Sequence, residues 1–459
     1  RGPRVTSKVL PLNGESYEND DVLPLQGEVA AKRSEGAPRH LQSPPPEEGP
    51  EATQGYSGAM SRILPVLLMA AACTSQKDDS GAPSAEPGTP TLLRVATFNT
   101  SLHRDTEGQL ATDLADPGHL QAIQLATILQ EVRPDVVLLN EVDQDTAGRA
   151  LQLLHDNFLA VSQGGREPLD YPHTVNPAVN TGVPSGVDLD GSGSAETTPG
   201  SDDYGQDALG YGVFPGQYGL VVLSRVPITT TRTFRNILWR DVPDAWLPDD
   251  HYSAAALDVL PLSSKTHADI TLDVGGTALH FLVSHPTPPT FDGEEDRNGR
   301  RNHDEIVFWE AYVDAGADSW HTDDAGLTGG LDGASFLIAG DLNADPADGD
   351  SSGDPIGTLL AHPRIQDPSP ESPGGTEQAA LQGEVNVRHD GDPAHDTADF
   401  SDRSVGNLRV DYVLPSTELT IEGSGVFWPA STDPLLEDVE SVSDHRLVWV
   451  DVWVPAGER

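Results

Sequence analysis

The sequence predicts an α/β fold in which two packed sheets are covered by helices on their outer sides. Three observations point there. Short β-branched and apolar runs recur along the whole chain from Leu92, most are apolar on consecutive residues, and a few segments of helical spacing fall between them. The runs Leu92–Phe98, Val136–Leu139, Leu220–Leu223, Leu279–Val283, Phe336–Ala339 and Val410–Leu414 have the continuous apolar character of strands covered on both faces. The last strand, Leu447–Val454, alternates in part, with Val448, Val450, Val452 and Val454 on one side.

Ala122, Leu125, Ala126, Leu129 and Val132 form an apolar stripe at helical spacing, which Pro134 stops, so a helix links the first two strands. A second helix is expected from about Asp304 to Val313. Between these elements lie long stretches rich in Gly, Pro, Asp and Ser, at about 163–215, 286–303 and 345–405. Loops of that length inside a compact domain are usually functional or disordered. No internal repeat is present, and 459 residues suit either two or three average domains or one large sandwich.

With 73 acidic and 27 basic residues the formal net charge is −46, and only Lys8, Lys32, Lys77 and Lys265 are lysines. Tight, salt-sensitive nucleic-acid binding draws most of its affinity from Lys and Arg on phosphates, so this composition argues against it. A polyanionic substrate held through a divalent cation stays compatible, as does acidity that serves solubility alone.

The single cysteine, Cys73, excludes an intramolecular disulfide framework and a cysteine-rich zinc site. It ends the run Met60-Ser-Arg-Ile-Leu-Pro-Val-Leu-Leu-Met-Ala-Ala-Ala-Cys73. One arginine, a short apolar core and small residues before a cysteine resemble a bacterial lipoprotein signal peptide, too short for a permanent membrane span. The expected organisation is an upstream or disordered segment at 1–59, the signal at 60–73, a tether at 74–90 and a catalytic domain at 91–456. Lipidation of Cys73 would attach the chain to a membrane, as a secreted or cell-surface bacterial lipoprotein. An ordinary secretory signal cut nearby and a buried core segment are the alternatives.

Polar residues recur where strands end. Asn99 follows Val95–Phe98, Glu141 follows Val136–Asn140, His285 follows Phe281–Ser284, Asp341 and Asn343 follow Leu337–Gly340, Asp411 lies inside Arg409-Val-Asp-Tyr-Val-Leu414, and Asp444-His445 introduces the final strand. Each alone suits a turn or cap. Strand ends on one edge can also converge on one pocket.

The ordered blocks Phe98-Asn99, Asn140-Glu141, Tyr218-Gly-Leu-Val-Val-Leu-Ser-Arg225, Ser284-His285-Pro286, Gly340-Asp-Leu-Asn343, Val410-Asp-Tyr-Val413 and Ser443-Asp-His445 resemble the endonuclease/exonuclease/phosphatase superfamily. That superfamily includes deoxyribonuclease-I-like nucleases, apurinic endonucleases, sphingomyelinases and inositol polyphosphate phosphatases. The resemblance runs from about Leu92 to Val454. It implies a four-layered α/β sandwich, with two central, mostly antiparallel sheets flanked by helices and no second globular domain.

It also implies a metal-dependent phosphoesterase. Asn99 and Glu141 are assigned to a site for Mg²⁺ (or Mn²⁺ or Ca²⁺), with Asp444 a further ligand, since hard cations take oxygen donors. Asp341 and Asn343 orient and activate water, Asp341 acting as general base or as a second metal ligand. His285 and His445 fit charge stabilisation or proton transfer, and Asp411 would fix the tautomer of His445.

Tyr218, Arg225, Arg297, Arg300 and Arg301 are candidate contacts for the phosphate-ester substrate; the alternatives are a scaffold brace for Arg225 and a solvated loop for the other three arginines. Asp188-Leu-Asp190-Gly-Ser-Gly resembles the start of a calcium loop, but Ser192 stands at the third aspartate and no closing glutamate follows, so a solvated acidic loop is the alternative to a structural Ca²⁺. A monomer is expected. A different class of function, a non-catalytic calcium-stabilised surface binding module on the same fold, is opposed by the intact motif set.

Overall fold

The computed structural model describes residues 89–316 and 319–457. The expectations for 1–59, for the signal at 60–73 with Cys73, and for most of the tether lie outside the described residues. Within them, strands β1 (Thr91–Leu102), β2 (Val136–Val142), β3 (His173–Val175), β4 (Gly219–Ser224), β5 (Ile228–Thr233), β6 (Ala268–Val274), β7 (Thr277–Val283), β8 (Phe336–Asp341), β9 (Ala398–Asp399), β10 (Asn407–Leu408), β11 (Asp411–Pro415), β12 (Thr420–Val426) and β13 (Val448–Val454) follow in order.

They form two large sheets, ordered β12-β13-β1-β2-β4-β3 and β11-β8-β7-β6-β5, and a small β10-β9 pair. Each large sheet is antiparallel except at one place. β1 runs parallel to β2 and β7 parallel to β8. Parallel neighbours require a crossover connection. Helix α1 (Leu120–Val132) makes the first crossover and α2 (Arg297–Asp314) the second. A shorter helix, α3 (Leu436–Val442), precedes β13.

Side-chain alternation turns this topology into layers. Leu93, Val95, Val136, Leu138, Leu220 and Val222 of one sheet share a core with Leu279, Phe281, Val283, Leu337, Ala339 and Val413 of the other. The opposite parity, Ala96, Phe98, Val137, Leu139, Val221 and Leu223, packs against Ala122, Leu125, Ala126 and Leu129 of α1 and Val439 and Val442 of α3. On the second sheet Leu282, Phe336, Ile338, Tyr412 and Leu414 meet Ile306, Phe308, Trp309 and Val313 of α2. The result is helix, sheet, sheet, helix, the expected four-layered α/β sandwich. Strands covered on both faces bury each apolar side chain at about 1.5–3 kcal/mol, which is why their runs are continuous.

Some boundaries differ from the sequence expectation. α2 begins at Arg297 rather than near Asp304, so the stretch at 286–303 is only partly loop. Its first turns bury Gly299, Arg301 and Asn302, the latter two through hydrogen bonds to backbone carbonyls, which leave no apolar signature. The stretch 345–405 likewise contains helices Pro355–Leu360 and Pro373–Gln382.

Candidate active site

The residues between the sheets change character at one edge. Along β1 the inward row runs Leu93, Val95, Thr97, Asn99; along β2 it runs Val136, Leu138, Asn140; along β8, Leu337, Ala339, Asp341; and β7 continues from Phe281 and Val283 to His285. The C-terminal ends of both parallel pairs therefore carry polar side chains on the facing surfaces. They meet across the gap: Asn99 Nδ2 donates to Asp341 Oδ2 at 3.0 Å. β11 runs antiparallel to β8, so its first residue, Asp411, sits opposite Asp341 in register.

Asp341 is the hub. Its Oδ2 has His285 Nε2 at 3.3 Å and His445 Nε2 at 3.7 Å, and its Oδ1 accepts the Asn343 backbone N–H at 3.0 Å. Asn343 adopts a left-handed φ of 52°, and its Nδ2 donates to the Pro286 carbonyl at 3.1 Å, next to His285. The preceding Gly340 is required by crowding, since a Cβ there would collide with the Ser284 carbonyl oxygen. Burial pushes the Asp341 carboxyl up to about 6, against the opposing pull of His445.

His445 Nδ1 donates to Asp411 Oδ2 at 2.8 Å. The same oxygen accepts from Thr397 Oγ1 at 2.9 Å, and Thr397 Oγ1 in turn accepts the Asp411 backbone N–H at 3.0 Å. Ser443 Oγ accepts the His445 N–H and donates to the Asn99 carbonyl, tying this segment to the end of β1. Burial works against a charge on His445, but Asp411 and Asp341 outweigh it and hold the imidazole well above its ordinary range. His285 has the opposite fate. Burial, with Lys265 and His445 nearby, drives it well below 6.5, so it is neutral.

Glu141 stands on a bulge. Both pairings of β2 slip beside it, and its φ of 59° is left-handed. Tyr218, at the start of β4, is also left-handed at 56°. Such conformations cost about 1–2 kcal/mol for residues with a Cβ and concentrate at functional sites. Among the described residues no donor bonds the Glu141 carboxylate; His103 Nε2 stands 3.6 Å away, its ring 4.8 Å from that of Tyr218. Asp143 accepts the backbone N–H groups of Tyr218 and Arg104, and burial pushes it up to about 7. Ser101 links the remaining oxygen donors: its N–H donates to Asn99 Oδ1 and its Oγ to Asp444 Oδ1, each at 3.2 Å.

Residues 96–445 match the model of the Endonuclease/Exonuclease/phosphatase family. The chain belongs to that family. Its members are typically hydrolases acting on phosphoester bonds and generally depend on divalent metals. Three solved structures illustrate what the chain is similar to. An endonuclease/exonuclease/phosphatase from Beutenbergia cavernae is 19% identical, with a TM-score of 0.43 over 79% of this chain and 72% of that one. Sphingomyelinase C from Streptomyces griseocarneus is 18% identical, with a TM-score of 0.41 over 78% and 99%. A 3'-5' exonuclease from Neisseria meningitidis is 14% identical, with a TM-score of 0.38 over 78% and 98%. No curated protein matches the chain.

Not every candidate joins this cluster. Arg225 follows Ser224, which pairs with Val136 at the start of β2, and its guanidinium is bonded to Asp135 at 3.2 Å. That is the opposite end of the sheet from Glu141, where Arg225 braces the scaffold. Arg301 is buried, donating to the carbonyls of Leu262, Leu209 and Pro261 at 2.9 Å each, so it clamps loops and does not face solvent. Arg297 is engaged by Glu295 and the Phe291 carbonyl. Arg300 is half-buried on the first turn of α2.

Asp188, Asp190 and Asp207 offer oxygens within 4.8 Å of one another. Each already accepts backbone N–H groups, from Gly191 and Gly193, from Ser192, and from Leu189 and Glu196 respectively. The carboxylates thereby organise their own loop. His103, Asp143, Thr397 and Lys265 belong to the site region without any motif that announces them.

Proposed function

We propose that this chain is a divalent-metal-dependent hydrolase of phosphate esters. The observation that carries the reading is the convergence of Asn99, His285, Asp341 and the Asp411–His445 pair on one edge of the sandwich, beside a Glu141 carboxylate that no donor satisfies among the described residues. Glu141, Asn99 and Asp444 supply oxygen donors, a set suited to a hard cation such as Mg²⁺, Mn²⁺ or Ca²⁺. A bound cation there would neutralise phosphate charge and stabilise the developing oxyanion.

The residues would divide the remaining work. Asp341, held from Oδ1 by the Asn343 N–H and from Oδ2 by Asn99, accepts a proton from the attacking water. His445, kept charged by Asp411 and Asp341, donates to phosphoryl oxygen. His285, with Nε2 3.3 Å from Asp341 Oδ2, would help to fix that carboxylate's orientation. Tyr218, against His103, lines the same edge.

The signal-like segment ending at Cys73 supports secretion or surface anchoring of this activity. Substrate is approached with a panel of p-nitrophenyl monoester and diester, plasmid DNA, phytate and sphingomyelin under each metal. Metal-dependent turnover should vanish in Glu141→Ala and His445→Ala while circular dichroism stays native. Full activity in either variant, or turnover in excess chelator, refutes the assignment.

A further inference from the structure

Lys265 is the one lysine among the described residues of a chain that carries −46 formal charge. A sequence that otherwise avoids lysine keeps this one indoors, 7% exposed. Its segment is clamped on both sides. Ser264 donates its N–H and Oγ to Glu305 Oε1, and the Lys265 carbonyl accepts the Asn180 N–H at 2.9 Å.

The side chain reaches the site from β6's entry loop. Nζ donates to the Pro286 carbonyl at 3.3 Å, the same oxygen that receives Asn343 Nδ2. The ammonium therefore lies one carbonyl from Asn343 and adjoins His285. Burial lowers the affinity of this amine for its proton, against the opposing pull of Glu305, Glu141 and Asp341, none of which forms an ion pair with it among the described residues. An ammonium has three donors, and the protein engages one.

A buried, unpaired ammonium is costly. Nothing in the packing requires it, because a methionine of similar length would fill the same volume without that cost. The two donors of Nζ left over from the Pro286 carbonyl suit an anionic ligand, whose arrival would favour the charged form. We propose that the Lys265 ammonium binds a non-bridging oxygen of the substrate's phosphoryl group, as an anion subsite beside Asn343 and His285. This rests on the phosphate-ester reading given above. It accounts for how so acidic a chain holds an anionic centre, with a buried amine inside the site in place of a basic surface.

The test is titration of inorganic phosphate, in Mg²⁺, against wild type, Lys265→Met and Lys265→Arg by differential scanning fluorimetry. Wild type is expected to be stabilised by phosphate. Lys265→Met should need at least tenfold more phosphate for the same shift and, without phosphate, should melt at or above the wild-type temperature. Lys265→Arg, which keeps the charge, should lose less.

Phosphate response in Lys265→Met within twofold of wild type, or no response in wild type, overturns the proposal. So does a ligand-free Lys265→Met that melts below wild type, since Lys265 would then be a brace for the Pro286 carbonyl. Turnover of bis-p-nitrophenyl phosphate by wild type is scored separately. A protein that binds phosphate through Lys265 without hydrolysing the diester keeps the anion subsite and loses the hydrolase reading.

Discussion

His445 Nδ1 and Asp411 Oδ2 lie 2.8 Å apart in a fully buried setting, and His445 Nε2 is thereby aimed at Asp341, 3.7 Å away. The hydrogen bond fixes one tautomer and, with the charge of Asp341, keeps the imidazole protonated. Asp411→Asn preserves shape but removes the charge. Its kcat is expected to fall about a hundredfold or more, and the His445 imidazole should titrate at lower pH than in wild type. Nitrogen-15 NMR of the histidines reads the second effect. An unmoved titration with unmoved kcat would separate Asp411 from the chemistry.

The left-handed backbone of Glu141 yields a different contrast. Glycine adopts a φ of 59° without a Cβ penalty, although it costs chain entropy in the unfolded state. Glu141→Gly should therefore match wild type in stability to within about 1 kcal/mol and lose at least tenfold in Mn²⁺ affinity by calorimetry. A large loss of stability would mean that the Glu141 side chain, and not only its backbone, holds the bulge together.

Legibility in the sequence followed burial. All seven apolar runs are strands; six are apolar on consecutive residues because a strand covered on both faces must be, and the seventh shows by its alternation. Ile228–Thr233 and Thr420–Val426 escaped that reading because they are sheet edges, with Thr229, Thr230 and Thr231 exposed in one and glycines and a register shift in the other. Ala268–Val274 interleaves acidic residues, and its buried Asp269 is matched by His280 and Tyr312, partners that only tertiary structure supplies. The same holds at the site. Asn99, His285, Asp341, Asp411 and His445 sit in ordered blocks, whereas Lys265 and Thr397 acquire their place from the packing of distant segments.

Arg301 illustrates the converse, a charge whose sequence neighbourhood suggests a solvated loop while its guanidinium gathers three carbonyls from residues 209–262. Truncation to alanine would leave those carbonyls unsatisfied and open a cavity. Arg301→Ala should cost ~3 kcal/mol or more in urea denaturation. Arg300→Ala, one residue away and half-buried, should stay within about 0.5 kcal/mol. Equal costs would remove the distinction between clamp and surface residue.

Asp396 gives the fold its clearest pH dependence. It is 8% exposed, and burial followed by the charges of Asp345, Asp348 and Asp392 pushes its carboxyl up to about 8. In the unfolded chain an aspartate titrates near ~3.9. Between those values the folded protein binds one more proton than the unfolded one, so stability falls as pH rises through that window. Asp396→Asn carries no proton to lose. Its advantage over wild type is expected to grow by ~2–4 kcal/mol between about pH 5 and about pH 8, measured by urea denaturation at intervals across the range. A constant difference would show that Asp396 is ionised throughout and that its neighbours accommodate the charge.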